Sequence, residues 1–313
     1  VIVILNYILV AVAIILFGVS YFTNGRYTQR VGSSFLSSVI LALGIGVFGG
    51  LSLLIVNGFS LHLTPFTVVM SFFFALSGLL TSMCIVFSLE KASLSLMSAF
   101  SMIGGMIVPS VVGMIFFNEQ LTLNKAICYV LTLIGLAFTI KKDAGKKAFL
   151  SYIGVFLFNG TCAAMSTVFA KADFEKAASS DYSIMGAIFK AVIALALLPI
   201  AIRIAKKNRA EDEQAQTFSL AKYASVIVIV LIAAGGIVNT VANWLLPIAM
   251  TGTLTGGSGL DGSVVYPMIT GGVMVVSTAF AYLNKNKPQK RELLAVAICA
   301  VALLVLVLPG LIQ

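Results

Sequence analysis

Ten times along this 313-residue chain, about twenty residues pass with almost nothing polar among them. The runs fall at roughly 2–22, 34–56, 65–88, 92–117, 121–140, 149–170, 182–202, 221–248, 263–284 and 292–312. Crossing the hydrocarbon core of a bilayer takes about 20 apolar residues in a helix. Backbone groups cannot go unpaired there, so a spanning segment is a helix or a strand of a closed barrel. Barrel strands alternate apolar and polar positions over about ten residues. These runs are longer and continuously apolar. The expectation is an all-α membrane protein with ten transmembrane helices. Composition agrees, with 60% of residues hydrophobic and 10% charged, against about 25% charged in soluble domains. No small-residue cleavage site stands out after the first run, so no cleavable signal is expected.

The formal charge of +9 does not point to nucleic acid, because the basic residues sit in short loops between apolar runs. That is how membrane proteins set their orientation. The loops after runs 1, 3, 5, 7 and 9 carry sixteen Lys and Arg, from Arg26 and Arg30 through Lys141 and Lys206 to Lys290 and Arg291. The loops after runs 2, 4, 6 and 8 carry three: Lys125, Lys171 and Lys176. The odd-numbered loops are therefore expected on the cytoplasmic side, in a bacterial cytoplasmic membrane, with both termini outside. Cys84, Cys128, Cys162 and Cys299 lie in apolar runs without C-x-x-C spacing, which reads as buried small hydrophobes rather than disulfides or metal ligands.

The two halves look like copies of one unit, 1–147 and 148–313. Gly78-Leu-Leu-Thr-Ser82 lies over Gly236-Ile-Val-Asn-Thr240 at one offset. After an insertion within TGTLTGGSGLDG, Phe100 meets Tyr266, Gly105 meets Gly271, and Lys125 meets Arg291. Five spans per copy force the second copy upside down relative to the first. Inverted repeats of this kind mark secondary transporters, whose solutes bind near the midplane between the halves.

The stretch FSLEKASLSLMSAFSMIGGMIVPSVVGMIFFNEQLTLNKAICYVLTLIGLAF resembles the end of an EamA unit of the drug/metabolite transporter superfamily. In that pattern a short polar turn precedes a span rich in small residues, and an acidic residue in a tight turn leads into the next span. Glu119 stands at the acidic place and Gly135 at the glycine of the following helix; in the second copy Lys285 and Val301 replace them. NGRYTQRVG, near the start, also looks like the first loop of the glucose/ribose porter branch, which makes a sugar porter an alternative within the transporter reading. The superfamily usually keeps both termini in the cytoplasm, whereas the loop charges here imply the reverse.

Polar residues inside the spans are the candidates for a solute site. Asn239 and Asn243, four apart in AAGGIVNTVANWLLPIAM, share one helix face with Trp244 beside them. They read either as solute ligands or as hydrogen bonds between helices. In the ninth span Tyr266, Thr270 and Ser277 recur at helical spacing, as do Ser98 and Ser101 in the fourth. The serines fit close packing with Gly104, Gly105, Gly271 and Gly272, while the Tyr266 hydroxyl wants a partner. Asn159, in FLFNGT, reads as a cavity residue or as the break of a discontinuous helix. Glu90, Lys91 and Glu119 read as solvated loop charges, and 252–262 as a flexible connection without the lysine of a phosphate-binding loop.

Lys190 is the sharpest question. It stands amid SIMGAIFKAVIALALLPIAIR, and an ammonium at mid-bilayer costs about 2.5–3.5 kcal/mol on insertion scales. Three readings stay open. Its stem could snorkel to an interface. It could clamp backbone carbonyls, as the resemblance implies for a basic residue near the start of this helix. It could also answer a charge that arrives with the solute.

Lys190, Asn239, Asn243, Trp244, Tyr266, Asn159 and Ser98 are thus the expected solute-binding set. The leading expectation is a secondary-active or facilitative transporter of a small polar or amphipathic organic metabolite, working by alternating access without a cofactor. Its expected partners are that solute and the lipid bilayer, with a homodimer left open. An intramembrane enzyme is the rival, but His62 is the only histidine, and neither H-E-x-x-H nor paired acids occur in the spans. A channel would need a filter sequence, and none is evident.

Overall fold

The structure, a computed structural model, describes residues 2–32, 34–88, 94–139, 149–210, 220–254, 256, 259–283 and 290–312. They form ten α-helices: α1 (Ile2–Val31), α2 (Phe35–Val56), α3 (Pro65–Ser88), α4 (Leu94–Phe116), α5 (Leu123–Thr139), α6 (Phe149–Lys171), α7 (Ser179–Ala210), α8 (Val226–Thr251), α9 (Gly262–Leu283) and α10 (Lys290–Ile312). Eight are long and apolar enough to cross a membrane unaided. The apolar cores of α5 and α10 are shorter, Leu123–Phe138 and Leu293–Leu308. At ~1.5 Å per residue, the 17 residues of α5 rise about 26 Å, a little less than the ~30 Å hydrocarbon layer.

Large apolar side chains stand exposed in stripes down the outside of the bundle. On α1 these are Ile4, Ile8, Val12 and Ile15; on α2 they are Val47, Leu51 and Ile55. Spacing of three and four places each stripe on one helix face. In water such faces would drive association; in lipid they meet their own kind.

The helix pairing has the symmetry of an inverted repeat. Replacing each helix by the one five places on turns the α1–α8 contact into α6–α3, and α4–α6 into α9–α1. The pairs α2–α7, α4–α9 and α5–α10 map onto themselves. All of these contacts are present, so the two five-helix halves interlock rather than stand side by side. Close approach depends on missing side chains. A Cβ on Gly46 of α2 would lie 2.7 Å from the Ala187 carbonyl and Ala191 nitrogen of α7, closer than real atoms pack.

Several helices run past the apolar runs that announce them. α1 continues through Asn24–Val31, where the sequence suggests a loop, and ends only at Gly32, whose φ of +85° favours glycine. An apolar run ends where lipid ends, but a helix ends where its backbone is capped. NGRYTQRVG is therefore mostly the last two turns of α1. By the same logic α7 reaches Ala210, carrying Arg203, Lys206 and Lys207 on its last turns. α8 starts late, at Val226, behind a one-turn 3-10 segment Ala221–Tyr223.

Prolines inside helices α4, α7, α8 and α9 remove backbone donors. In α9, Pro267 cannot donate to the Ser263 carbonyl. Tyr129 of α5 supplies the replacement, its hydroxyl donating to that carbonyl at 2.9 Å. Neighbouring side chains commonly repair broken helices in membranes in this way.

Candidate functional site

Seven helices surround a cavity of about 250 Å³ at mid-depth in the bundle. Each main contributor presents one stripe. α1 gives Phe17, Ser20, Tyr21 and Asn24; α6 gives Asn159, Cys162, Ala163 and Ser166; α9 gives Tyr266, Ile269, Thr270 and Val273. Steps of three and four residues set one helix face toward the centre. α8 adds Asn239, Asn243 and Leu246, and Phe74, Ser101, Gly105 and Lys190 arrive from α3, α4 and α7. The volume admits a small solute.

Five of the seven sequence candidates meet at this cavity: Lys190, Asn239, Asn243, Tyr266 and Asn159. Trp244 does not. One residue beyond Asn243 is about 100° further round the helix, and Trp244 packs instead against the apolar cluster between α1, α8 and α9. The side chain of Ser98 lies outside the described residues; Ser101, one turn on, lines the cavity.

The polar side chains are held in different ways. Asn159 donates to the Ser101 carbonyl at 2.7 Å, tying α6 to α4. Helix α6 is continuous through it, so Asn159 marks no break. The absence of a side chain at Gly105 makes room for it, since a Cβ there would come within 2.7 Å of the Asn159 amide nitrogen. Asn243 donates to the Asn239 carbonyl at 2.8 Å and to Asn239 Oδ1 at 3.2 Å. Both bonds stay within α8, so among the described residues this pair does not bridge helices. Tyr266 donates to the Ala163 carbonyl at 2.7 Å, joining α9 to α6. Ser277 bonds within its own helix, to the Met274 carbonyl.

Lys190 stands in the lining of this cavity and of two others that adjoin it. Among the described residues its ammonium has no hydrogen-bond or ion-pair partner. The clamp on backbone carbonyls is therefore not formed. Nor does the side chain leave for the bilayer interface, because its surroundings are the cavity walls.

The two adjoining cavities differ in size. One, of about 220 Å³, shares Asn24 and Lys190 and runs past Ser38 near the start of α2 and Ser82 toward the end of α3. It leads to the face that holds the odd-numbered loops. The other lies on the opposite side, past Tyr182, Ser183 and Thr240, and is small, about 10 Å³, the space of a single water at most.

Above that constriction the two halves are laced together. Glu119 Oε1 accepts from the Gly262 N–H at 2.8 Å, and Oε2 from the Ser263 N–H at 2.9 Å. A buried carboxylate thus sits on the first turn of α9, where the helix dipole favours negative charge. Glu119 is 8% exposed, so it is no solvated loop charge. Beside it Asp261 meets Lys125 at 2.8 Å and Lys171 at 3.5 Å. Asn57 donates to Asp181 at 3.1 Å, and Tyr182 stacks on Phe169 at 4.2 Å while its hydroxyl pairs with Ser166. Lys176 donates to the Ala170 and Ala172 carbonyls at the end of α6; burial, opposed by Asp173 and reinforced by Lys171, holds its pKa below the usual lysine value. The described ends of segment 252–262 are tied into this layer. Gly252 caps α8 with φ of +67°, and the Leu260 N–H returns to the Ala249 carbonyl at 2.9 Å. Residues 255, 257 and 258 within it, like Glu90, Lys91 and Lys285, lie outside the described residues.

Sequence reasoning missed Ser20, Tyr21, Asn24, Cys162 and Ser166. The signal was present as polar or small residues at helical spacing on α1 and α6. Asn24 was hidden because the apolar run stops before it.

No family model matches this chain, and no curated protein matches it. A solved structure described only as "Crystal structure of protein" is similar, with a TM-score of 0.66 at 15% identity over 96% of this chain and 97% of that one. That likeness extends over the whole bundle and concerns the fold: ten helices paired as an inverted repeat in an all-α membrane protein.

Proposed function

We propose that the protein is a secondary transporter that moves a small polar or amphipathic organic solute by alternating access, in the manner of EamA-like drug/metabolite transporters. One observation carries the reading. A cavity with polar lining residues lies between two inverted halves and adjoins a space of about 220 Å³ toward one membrane face and one of only about 10 Å³ toward the other. That asymmetry is what a carrier caught in one of its two states has, whereas a channel needs a continuous path. The lacing over the pinch joins residues of the first half, Asn57, Glu119 and Lys125, to Asp181, Asp261 and α9 of the second. It is built to part as the halves rock.

The lining supports transport over catalysis. Ser20, Ser101, Ser166 and Cys162 line the cavity with no histidine or carboxylate among the described lining residues, and Lys190, which could serve as a base, makes no hydrogen bond to any of them. The same feature argues against proton coupling through the cavity and favours facilitated movement or exchange. The charge bias of the loops supports a cytoplasmic position for the side with the larger space. The three basic residues on the opposite face are each engaged, Lys125 and Lys171 with Asp261 and Lys176 with the end of α6, so a structural reason for their presence exists there.

Purified protein in proteoliposomes tests the reading. Radiolabelled sugars, amino acids, nucleosides and organic acids should include one that accumulates saturably and exchanges with unlabelled solute inside. Linear, non-saturating flux would identify a channel, and chemical conversion of the solute an enzyme.

A further inference from the structure

Among the described residues Lys190 is the only charged one lining the central cavity, and it also borders both adjoining cavities. An ammonium deep in a lipid-embedded bundle needs an answering group, and among the described residues the protein provides none. Glu119, Asp181 and Asp261 are all committed to the lacing over the constricted face. Around Lys190 the cavity offers neutral hydrogen-bonding groups, Asn24, Asn159, Asn239, Asn243 and Thr270, and apolar walls from Phe17, Phe74 and Ile269. We propose that Lys190 is an oxyanion-binding residue, and that the solute is a small organic acid whose carboxylate or phosphate group seats on its ammonium. This rests on the cavity being the solute site, and it narrows the solute class from any polar metabolite to an anionic one.

The physical argument is one of sign. A low-dielectric cavity with a single uncompensated positive charge attracts an anion and repels a cation much more strongly than water would. A neutral solute would leave the ammonium desolvated and unpaired. An anion removes that penalty on entry, so its binding energy is drawn from a cost the empty protein already bears. The Asn amides, with both donors and acceptors, can then hold the neutral remainder of the solute.

Cys162 makes the proposal testable, because its thiol lines the same cavity. Cys128 and Cys299 are buried, so Cys84→Ser leaves Cys162 as the reactive thiol. Methanethiosulfonate reagents convert a thiolate to a mixed disulfide and release methanesulfinate, and they come in sulfonate-bearing and trimethylammonium-bearing forms of similar size. Relative to a free thiol in solution, the anionic reagent should modify Cys162 at least about tenfold faster than the cationic one. In Lys190→Met the ratio should fall to about one, and in Lys190→Arg it should persist. The ratio cancels any change in thiolate fraction, which affects both reagents alike.

Protection then identifies the oxyanion. Acetate slowing the modification where acetamide does not assigns a carboxylate; inorganic phosphate alone doing so assigns a phosphate ester. No charge preference in the parent protein, or equal protection by acetate and acetamide, overturns the proposal. Its failure is distinct from failure of the transport reading: a charge-selective cavity in a protein that moves no solute would spare the former and sink the latter.

Discussion

Replacing Glu119 by glutamine should open the constricted face. The carboxylate accepts two backbone N–H bonds from the start of α9, at 2.8 and 2.9 Å, while 8% exposed. Bonds to a charged group contribute about 1.5–3 kcal/mol each, and a charge at a helix N-terminus about 0.3–1 kcal/mol more. Glutamine keeps one acceptor oxygen and turns an NH2 group toward the other donor. One bond and the dipole term are lost, together about 2 kcal/mol or somewhat more. Because Glu119 and α9 belong to opposite halves, this energy is present only while the face is closed. At ~1.4 kcal/mol per tenfold, the population open on that face rises roughly 30-fold. Alkylation of Cys162 reports it, using an impermeant maleimide applied to either side of oriented membrane vesicles in the Cys84→Ser background. The parent protein should label mainly from the odd-loop side, and Glu119→Gln from both. A variant that melts earlier but still labels from one side only would refute the reasoning, because Glu119 would then be a static brace.

Three further outcomes are expected. Asn243→Leu should abolish stabilisation by whichever solute the transport screen yields, yet shift the melting temperature little, since both bonds of Asn243 stay within α8; a large loss of stability with binding intact would make it a packing residue. Tyr129→Phe should cost about 1–2 kcal/mol by orphaning the Ser263 carbonyl, and Pro267→Ala, which restores a helical donor, should recover much of that loss in chemical denaturation. For orientation, Lys207→Cys should resist an impermeant thiol reagent in intact cells while Ser179→Cys reacts; the reverse pattern would invert the charge-based topology.

The site was legible to the extent that its chemistry was unusual for its surroundings. A lysine and three asparagines amid apolar residues announce themselves, because lipid makes each expensive. Ser20, Cys162 and Ser166 cost little in a membrane helix, so nothing in composition separates a serine facing a cavity from one packed against a neighbour. Glu119 failed for a different reason. From the sequence it sits in a loop, and a loop acid is usually solvated; its partners at Gly262 and Ser263 lie more than 140 residues away. Trp244 lies off the cavity because adjacency in sequence is not adjacency on a helix.

What the sequence by itself determined was everything that depends on the solvent. Twenty-residue apolar runs, repeated ten times, admit only membrane helices, and an odd number in each half turns the second half over. The first conclusion follows from the cost of unpaired backbone in lipid, the second from the parity of the span count. What the tertiary structure alone decided was how the helices rotate about their axes and which distant groups meet. Apolar residues surround each helix, so hydrophobicity leaves the rotation nearly free. Packing through glycines such as Gly46 and Gly105 selects it, along with long-range bonds such as Tyr129 to Ser263 and Glu119 to the start of α9. The rotation in turn brings Lys190 and four asparagines around one small cavity, with the larger adjoining space toward one face and the smaller toward the other.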